Sequence, residues 1–201
     1  KYQKCWNIYE YSAMKTKEQL RKKFLILRKK KYFDVPTEKF YQLISHIKRR
    51  YKSKKKFLIA LYYPSNYEIN IFKILKNLNK SNIKFLLPKI QKKNILKFLE
   101  WDDRDLLIVN RYGIPEPLKT QKSYLPDIVL VPLLAFDRNK NRLGYGKGFY
   151  DKYLNNLKKI NKKIEVIGIA FSFQNYKSIP ISKFDFPLNN IFTEKGFLKW
   201  E

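Results

Sequence analysis

Apolar positions along the chain alternate between helical and strand spacing, and that alternation predicts the architecture. From Thr16 to about Phe33, Leu20, Phe24 and Leu27 recur at helical intervals among lysines, the pattern of a basic amphipathic helix. Pro36 and Thr37 open a second helix carried by Phe40, Leu43, Ile44, Ile47 and Tyr51. After the cationic stretch 48–56, the run Phe57 to Tyr62 reads as a buried strand closed by Tyr63-Pro-Ser-Asn66. Glu68 begins a further helix through Ile71, Phe72, Leu75 and Leu78, and Ile83 to Leu87, ahead of Pro88, is the next strand. Residues 95–101 and 106–110 form a hairpin or short accessory strands around Asp102 and Asp103, before the proline-punctuated loop 111–126.

The apolar, β-branched run Asp127 to Asp137 predicts a buried strand, set at 127–132 in the alternation, a helix follows over 148–160, and Glu165 to Phe171 is another strand. Short strands close the chain near 190–192 and 197–200. Strands alternating with helices predict one α/β domain of three layers with a mainly parallel sheet. No internal repeat is visible.

Composition narrows the class. A chain of 201 residues with 44% hydrophobic content suits one domain with a real core. Cys5 is the sole cysteine, so an intrachain disulfide and a multi-thiolate zinc site are both excluded, and a reducing, cytoplasmic setting is expected, organellar targeting staying open. His46, also unique, sits in a helical stretch and reads as a satisfied histidine at or near the surface. The longest apolar runs fall well short of the roughly 20 residues of a membrane helix, so no membrane partner is expected. The net charge of +27 predicts attraction to anions, including nucleotides and, without specificity, nucleic acid. The abundance of Lys, Asn, Ile, Tyr and Phe beside scarce Gly and Ala is also what an AT-rich genome would supply.

Candidate chemistry concentrates in Arg142-Leu-Gly-Tyr-Gly-Lys-Gly-Phe-Tyr-Asp151, which holds three of the six glycines. Alternate glycines let backbone N–H groups converge on one anion, and a phosphate is the natural guest. Arg142 and Lys147 add a forked and a point cation, and the N-terminus of the following helix faces the same spot. Asp151 falls in the first helical turn, able to cap backbone or to hold a cation beside phosphates. The segment fits neither the P-loop nor the dinucleotide fingerprint, since Lys147 is followed by Gly148 and the third glycine comes one residue early.

Pro132-Leu-Leu-Ala-Phe-Asp137 followed by this cradle resembles the signature of the 5-formyltetrahydrofolate cyclo-ligase family, also called 5,10-methenyltetrahydrofolate synthetase. More weakly, Lys17-Glu-Gln-Leu-Arg21 resembles the family's N-terminal Lys-x-x-x-Arg, and Gly113-Ile-Pro-Glu-Pro117 its Gly/Asn-Ile-x-x-Pro segment. The resemblance implies a NagB/RpiA/CoA-transferase-like fold over residues 14–201, with 1–13 an N-terminal extension. The chain begins at Lys1, so a leader removed or trimmed would fit the same expectation.

The implied activity is ATP- and magnesium-dependent closure of 5-formyltetrahydrofolate, polyglutamylated forms included, to the 5,10-methenyl product, carried out by a monomer. Arg142, Lys147 and Tyr150 are the implied catalytic residues. ATP would be bound by Lys17, Arg21, Arg142, Gly144, Tyr145, Gly146, Lys147, Gly148, Phe149 and Tyr150. Folate would meet Tyr63, Glu68 and Tyr112 together with Tyr145, Gly146, Lys147, Gly148 and Phe149. On spacing alone, a solvated helix face is the stronger reading of Lys17 and Arg21, and helix capping is nearly as strong a reading of Glu68. Tyr112 stands where the family often carries tryptophan.

For the metal, Asp151 and Asn189 are the implied ligands. The family pattern His-Asp-x-x-x-Asp reads here Phe184-Asp-Phe-Pro-Leu-Asn189, so Asn189 brings a carbonyl oxygen but no charge. A related protein of impaired activity, or a basic protein that binds RNA without specificity, are the alternatives. No RNA-binding signature is visible, and specific nucleic-acid binding is not expected.

Overall fold

A computed structural model describes residues 15–52, 54–78, 82–118 and 122–199. The proposed extension 1–13 and Met14 lie outside these described residues. In chain order the elements are α1 (Lys17–Lys31), α2 (Tyr41–Tyr51), β1 (Phe57–Ala60), α3 (Leu75–Leu78), β2 (Ile83–Ile90), β3 (Leu96–Trp101), β4 (Leu107–Val109) and β5 (Pro115–Pro117). They continue with β6 (Ile128–Pro132), β7 (Ala135–Phe136), β8 (Arg142–Leu143), α4 (Phe149–Ile160), β9 (Glu165–Ile169), β10 (Asn190–Thr193) and β11 (Gly196–Phe197).

The main sheet has seven strands in the order β11-β10-β9-β6-β1-β2-β3. Its inner five run parallel, and β3 and β11 close the edges antiparallel. Period-two alternation sorts β6 onto both faces: Ile128 and Leu130 join the core under α2 and α3, whereas Val129 and Val131 join the core under α4. That gives the expected three layers. The crossover from β1 to β2 carries α3 on one face, and that from β6 to β9 carries α4 on the other, so the chain reverses its winding between β1 and β6. In such sheets the crevice past the carboxyl ends at that reversal is where ligands bind.

Helix α1 stands apart from both layers. Its start is a capping box in which the Gln19 amide donates to Thr16 Oγ1 at 3.3 Å and the Thr16 amide donates to Gln19 Oε1 at 2.8 Å. Leu20 and Phe24 are buried against Leu134, Ala135, Leu143 and Ile179, which docks the helix on the β7–β8 hairpin beyond the end of β6.

Several segments differ from the sequence expectation. Strand β6 stops at Pro132, as the bounds 127–132 predict, but the rest of the apolar run does not lead straight into a turn: β7 turns back to pair with β8. Asp137 drives that return: its buried carboxylate accepts from the amides of Asn139, Asn141 and Ile179 at 2.9, 3.0 and 3.0 Å. Residues 95–101 do not form a hairpin with 106–110; β3 pairs with β2, and β4 pairs with β5 inside the proline-rich loop. Strand β2 also runs through Pro88. Phe98, its partner, turns its carbonyl away to Tyr124, so the side on which Pro88 lacks an N–H faces past the end of β1, where no strand needs a donor. After Asn66, a 3-10 turn over Ile71–Ile74 capped by Asn70 precedes the short α3, so Glu68 starts no helix and caps none. Among the described residues no helix is long and apolar enough to cross a membrane.

Candidate active site

Past the carboxyl ends of β1, β2 and β6 lies a cavity of about 550 Å³. It is lined by the glycine cradle 144–148, by Lys17 and Arg21 of α1, and by Asn110, Tyr112, Ile114 and Glu116 of the β4–β5 segment. Pro88, Ile90 and Leu96 add apolar lining.

The cradle is shaped by backbone conformations that favour glycine. Gly148 caps α4 with φ of +68° and no side chain bonds the first-turn amides, leaving them free to face an anion. At Gly146, φ is +93° and an added Cβ would lie 3.0 Å from the Arg21 guanidinium carbon. Arg21 Nε donates to the Gly144 carbonyl at 2.9 Å, so α1 and the cradle are stitched together by a cation that phosphate would also seek. Lys147 is exposed and lines the cavity, its ammonium 6.0 Å from the Tyr112 ring.

Two cations are already paired. Arg142, which is buried, donates to Asp151 Oδ1 at 2.7 Å, and the Phe186 amide reaches the same oxygen at 3.2 Å. Lys17 meets Asp185 Oδ2 at 2.5 Å, where the Ser182 amide also donates. Burial tends to raise the Asp185 pKa, but the Lys17 ammonium and the Ser182 amide outweigh it and hold the carboxyl below its usual value. A triphosphate entering the cradle would therefore exchange partners with carboxylates already in place.

A buried carboxylate also lines the cavity, bonded to Tyr145 of the cradle. Glu68 Oε2 accepts from the Ser65 amide at 2.9 Å, and Oε1 accepts from the Tyr145 hydroxyl at 2.6 Å. Arg28, only 1% exposed, donates to that hydroxyl and to the Leu133 carbonyl at 3.2 Å, and its guanidinium lies 3.9 Å from Glu68. Burial pushes the Glu68 pKa up, with Arg28 the main opposing influence. Burial and then the Glu68 charge raise the phenols of Tyr145 and Tyr150, so both remain protonated donors.

The sequence profile of the 5-formyltetrahydrofolate cyclo-ligase family matches residues 13–194. The chain belongs to this family. A 5-formyltetrahydrofolate cyclo-ligase from Haemophilus influenzae is 35% identical over 139 residues, spanning 66% of this chain and 73% of the relative. The solution structure of a 5,10-methenyltetrahydrofolate synthetase from Aquifex aeolicus superposes with a TM-score of 0.71 at 30% identity, covering 90% of this chain and 91% of that one. A synthetase of the same name from Mycoplasma pneumoniae gives 0.63 at 25% identity, over 89% and 98%.

In this cyclo-ligase fold, the residues expected to bind ATP and folate converge on one cavity. Lys17, Arg21, Tyr63, Glu68, Tyr112 and the stretch 142–151 all line it. Tyr112 packs on Phe149 with ring centroids 5.7 Å apart, so the two rings make one aromatic surface of the cavity. Asn189 does not line the cavity. Its Oδ1 accepts from the Val166 amide at 2.8 Å and its own amide bonds the Val166 carbonyl, so the side chain is used in bracing the start of β9. Asp185, within the same quoted segment, is the carboxylate that reaches the site. His46 is likewise remote, bonded to Glu165 at 2.9 Å.

The sequence reading missed Asp185 and Arg28. The signal for Arg28 was present, since positions 17, 21 and 28 fall on one helical face.

Proposed function

We propose that this chain closes 5-formyltetrahydrofolate to 5,10-methenyltetrahydrofolate, cleaving ATP to ADP and phosphate. The observation that carries the reading is a single cavity lined by both the phosphate cradle and the buried Glu68 carboxylate. A formyl oxygen is a poor leaving group. When it takes the terminal phosphoryl group of ATP and ADP departs, the N10 amine attacks the formyl carbon, loses its proton, and the carbon–oxygen bond breaks to release phosphate.

Phosphoryl transfer depends on positioning and charge neutralisation, and the cavity supplies both without a side-chain nucleophile. Lys147, Arg142 and the amides of 144–148 would neutralise charge on the transferred group, with Lys17 and Arg21 holding the remaining phosphates. Tyr150, kept protonated by burial, would donate to the reacting oxygens. Glu68 would accept hydrogen bonds from the amino-substituted pterin ring, with Tyr63, Tyr112 and Phe149 against its faces.

The donor set at the cradle fits magnesium carried in with ATP. Asp151 and Asp185 offer hard oxygens, and among the described residues no cluster of three or more His, Cys, Asp or Glu could hold a metal alone. Those two carboxylates would hold the ion against the phosphates, where it supplies further charge neutralisation.

The test is to incubate purified protein with ATP, magnesium and 5-formyltetrahydrofolate and follow the methenyl product by its absorbance. Product formation that requires ATP supports the reading, and its absence from folded protein sinks it.

A further inference from the structure

Arg28 contributes nothing to the cavity wall, yet its guanidinium is fully buried directly behind it. A buried cation is costly to desolvate unless it is paired and hydrogen-bonded. Here one nitrogen donates to the Leu133 carbonyl, fixing α1 to the end of the central strand, and another donates to the Tyr145 hydroxyl, which in turn donates to Glu68. The guanidinium carbon also lies 5.6 Å from the Tyr145 ring centroid.

We propose that Arg28 is a positioning residue for the folate half of the site, holding the Glu68 carboxylate and the Tyr145 hydroxyl in the arrangement that accepts the pterin ring. The inference rests on the reading of Glu68 given above. The groups that face Glu68 come from every surrounding element: Tyr62 from the end of β1, Ser65 from the following turn, Tyr145 from the cradle, Tyr150 from α4 and Arg28 from α1. Arg142, which lies over the Tyr150 ring, is tied to Asp151. Arg28 is therefore the cation within ion-pair distance of Glu68 among the described residues. Only an ionised carboxylate can accept two N–H groups from one ring edge, and burial works against ionisation.

The experiment compares wild type, Arg28→Met, Arg28→Lys, Glu68→Gln and the Arg28→Met/Glu68→Gln double variant, measuring KM for folate and for ATP across pH. Arg28→Met should raise the folate KM on the order of ten- to a hundredfold, the scale of a lost charged hydrogen bond. Its ATP KM should rise less than its folate KM, since Tyr145 and the α1 anchor at Leu133 also serve the ATP side whereas Glu68 serves the folate alone. The folate defect should shrink as pH rises, because alkali restores the carboxylate that Arg28 no longer holds charged. Arg28→Lys should recover part of the loss. In the Glu68→Gln background, Arg28→Met should add little, as expected of two residues acting through one contact.

Full additivity in the double variant, or equal losses for both substrates, would overturn the positioning role in favour of a purely structural one. If Glu68→Gln leaves the folate KM unchanged, the reading of Glu68 falls and the inference falls with it, while the cyclo-ligase assay itself still stands. Should Arg28→Met fail to fold, Arg28→Lys carries the same cycle, with a smaller loss, greater for folate than for ATP, expected and additivity again overturning the role.

Discussion

Lys147 stands exposed at the mouth of the cradle, with no carboxylate at ion-pair distance among the described residues, whereas Arg142 and Lys17 are each engaged. It is thus the cation most available to charge developing on a transferred phosphoryl group. Lys147→Ala should lower kcat by about 10²–10³-fold, the range for losing one such donor, while leaving the melting temperature nearly unchanged. Gly146→Ala tests the cradle by geometry. Its φ of +93° costs an L-residue roughly 1–2 kcal/mol, and the new Cβ would press on Arg21, so ATP affinity measured by calorimetry should fall more than folate affinity. The alternating glycines made the cradle legible in sequence because glycine is placed where backbone geometry demands it. For Arg28 the spacing from Lys17 and Arg21 is a signal, but it stands among Lys22, Lys23, Lys29, Lys30 and Lys31, and burial is what singles it out.

Helix α1 is held by Leu20 and Phe24 and presents Lys17 and Arg21 to the cavity from the same scaffold. Leu20→Ala should destabilise the protein by about 2–5 kcal/mol, measured by urea unfolding, and should raise the ATP KM although Leu20 touches no substrate. An unchanged ATP KM would show that the cations hold their places without the helix packing. Long periodic elements such as α1, α2, β6 and α4 were readable because each has a one-sided or continuous apolar pattern. Pairing was not. Residues 95–101 carry the same apolar pattern whether they pair with the following segment or with β2. The choice depends on β2 continuing past β1 through Pro88, a circumstance that local sequence does not encode.

At the scale of the whole molecule, charge outside the site governs stability and stray binding. Burial tends to raise the Glu165 pKa, but hydrogen bonds from His46 and Asn190 and the nearby Arg50 guanidinium carry it below the ordinary 4.5. A carboxyl with a depressed folded pKa contributes stability above its unfolded value and loses it as pH falls through the folded one. Thermal melts should therefore drop below about pH 4.5 in wild type and drop less steeply in Glu165→Gln, with parallel curves counting against this cluster. The net charge of +27 should give RNA binding that weakens steeply with salt and shows no sequence preference; a salt-resistant, sequence-selective complex would revive the RNA-binding reading. By itself the sequence determined the alternation of elements, the parallel three-layer class and the glycine cradle, since these follow from periodicity and backbone permissiveness that neighbouring residues carry. Only the tertiary structure decided which charges meet: it placed Asp185 rather than Asn189 at the cavity, paired Arg142 with Asp151, and buried Arg28 behind Glu68. Arg28 and Glu68, and Lys17 and Asp185, lie far apart in the chain, and packing and desolvation select their partners, which no local pattern records.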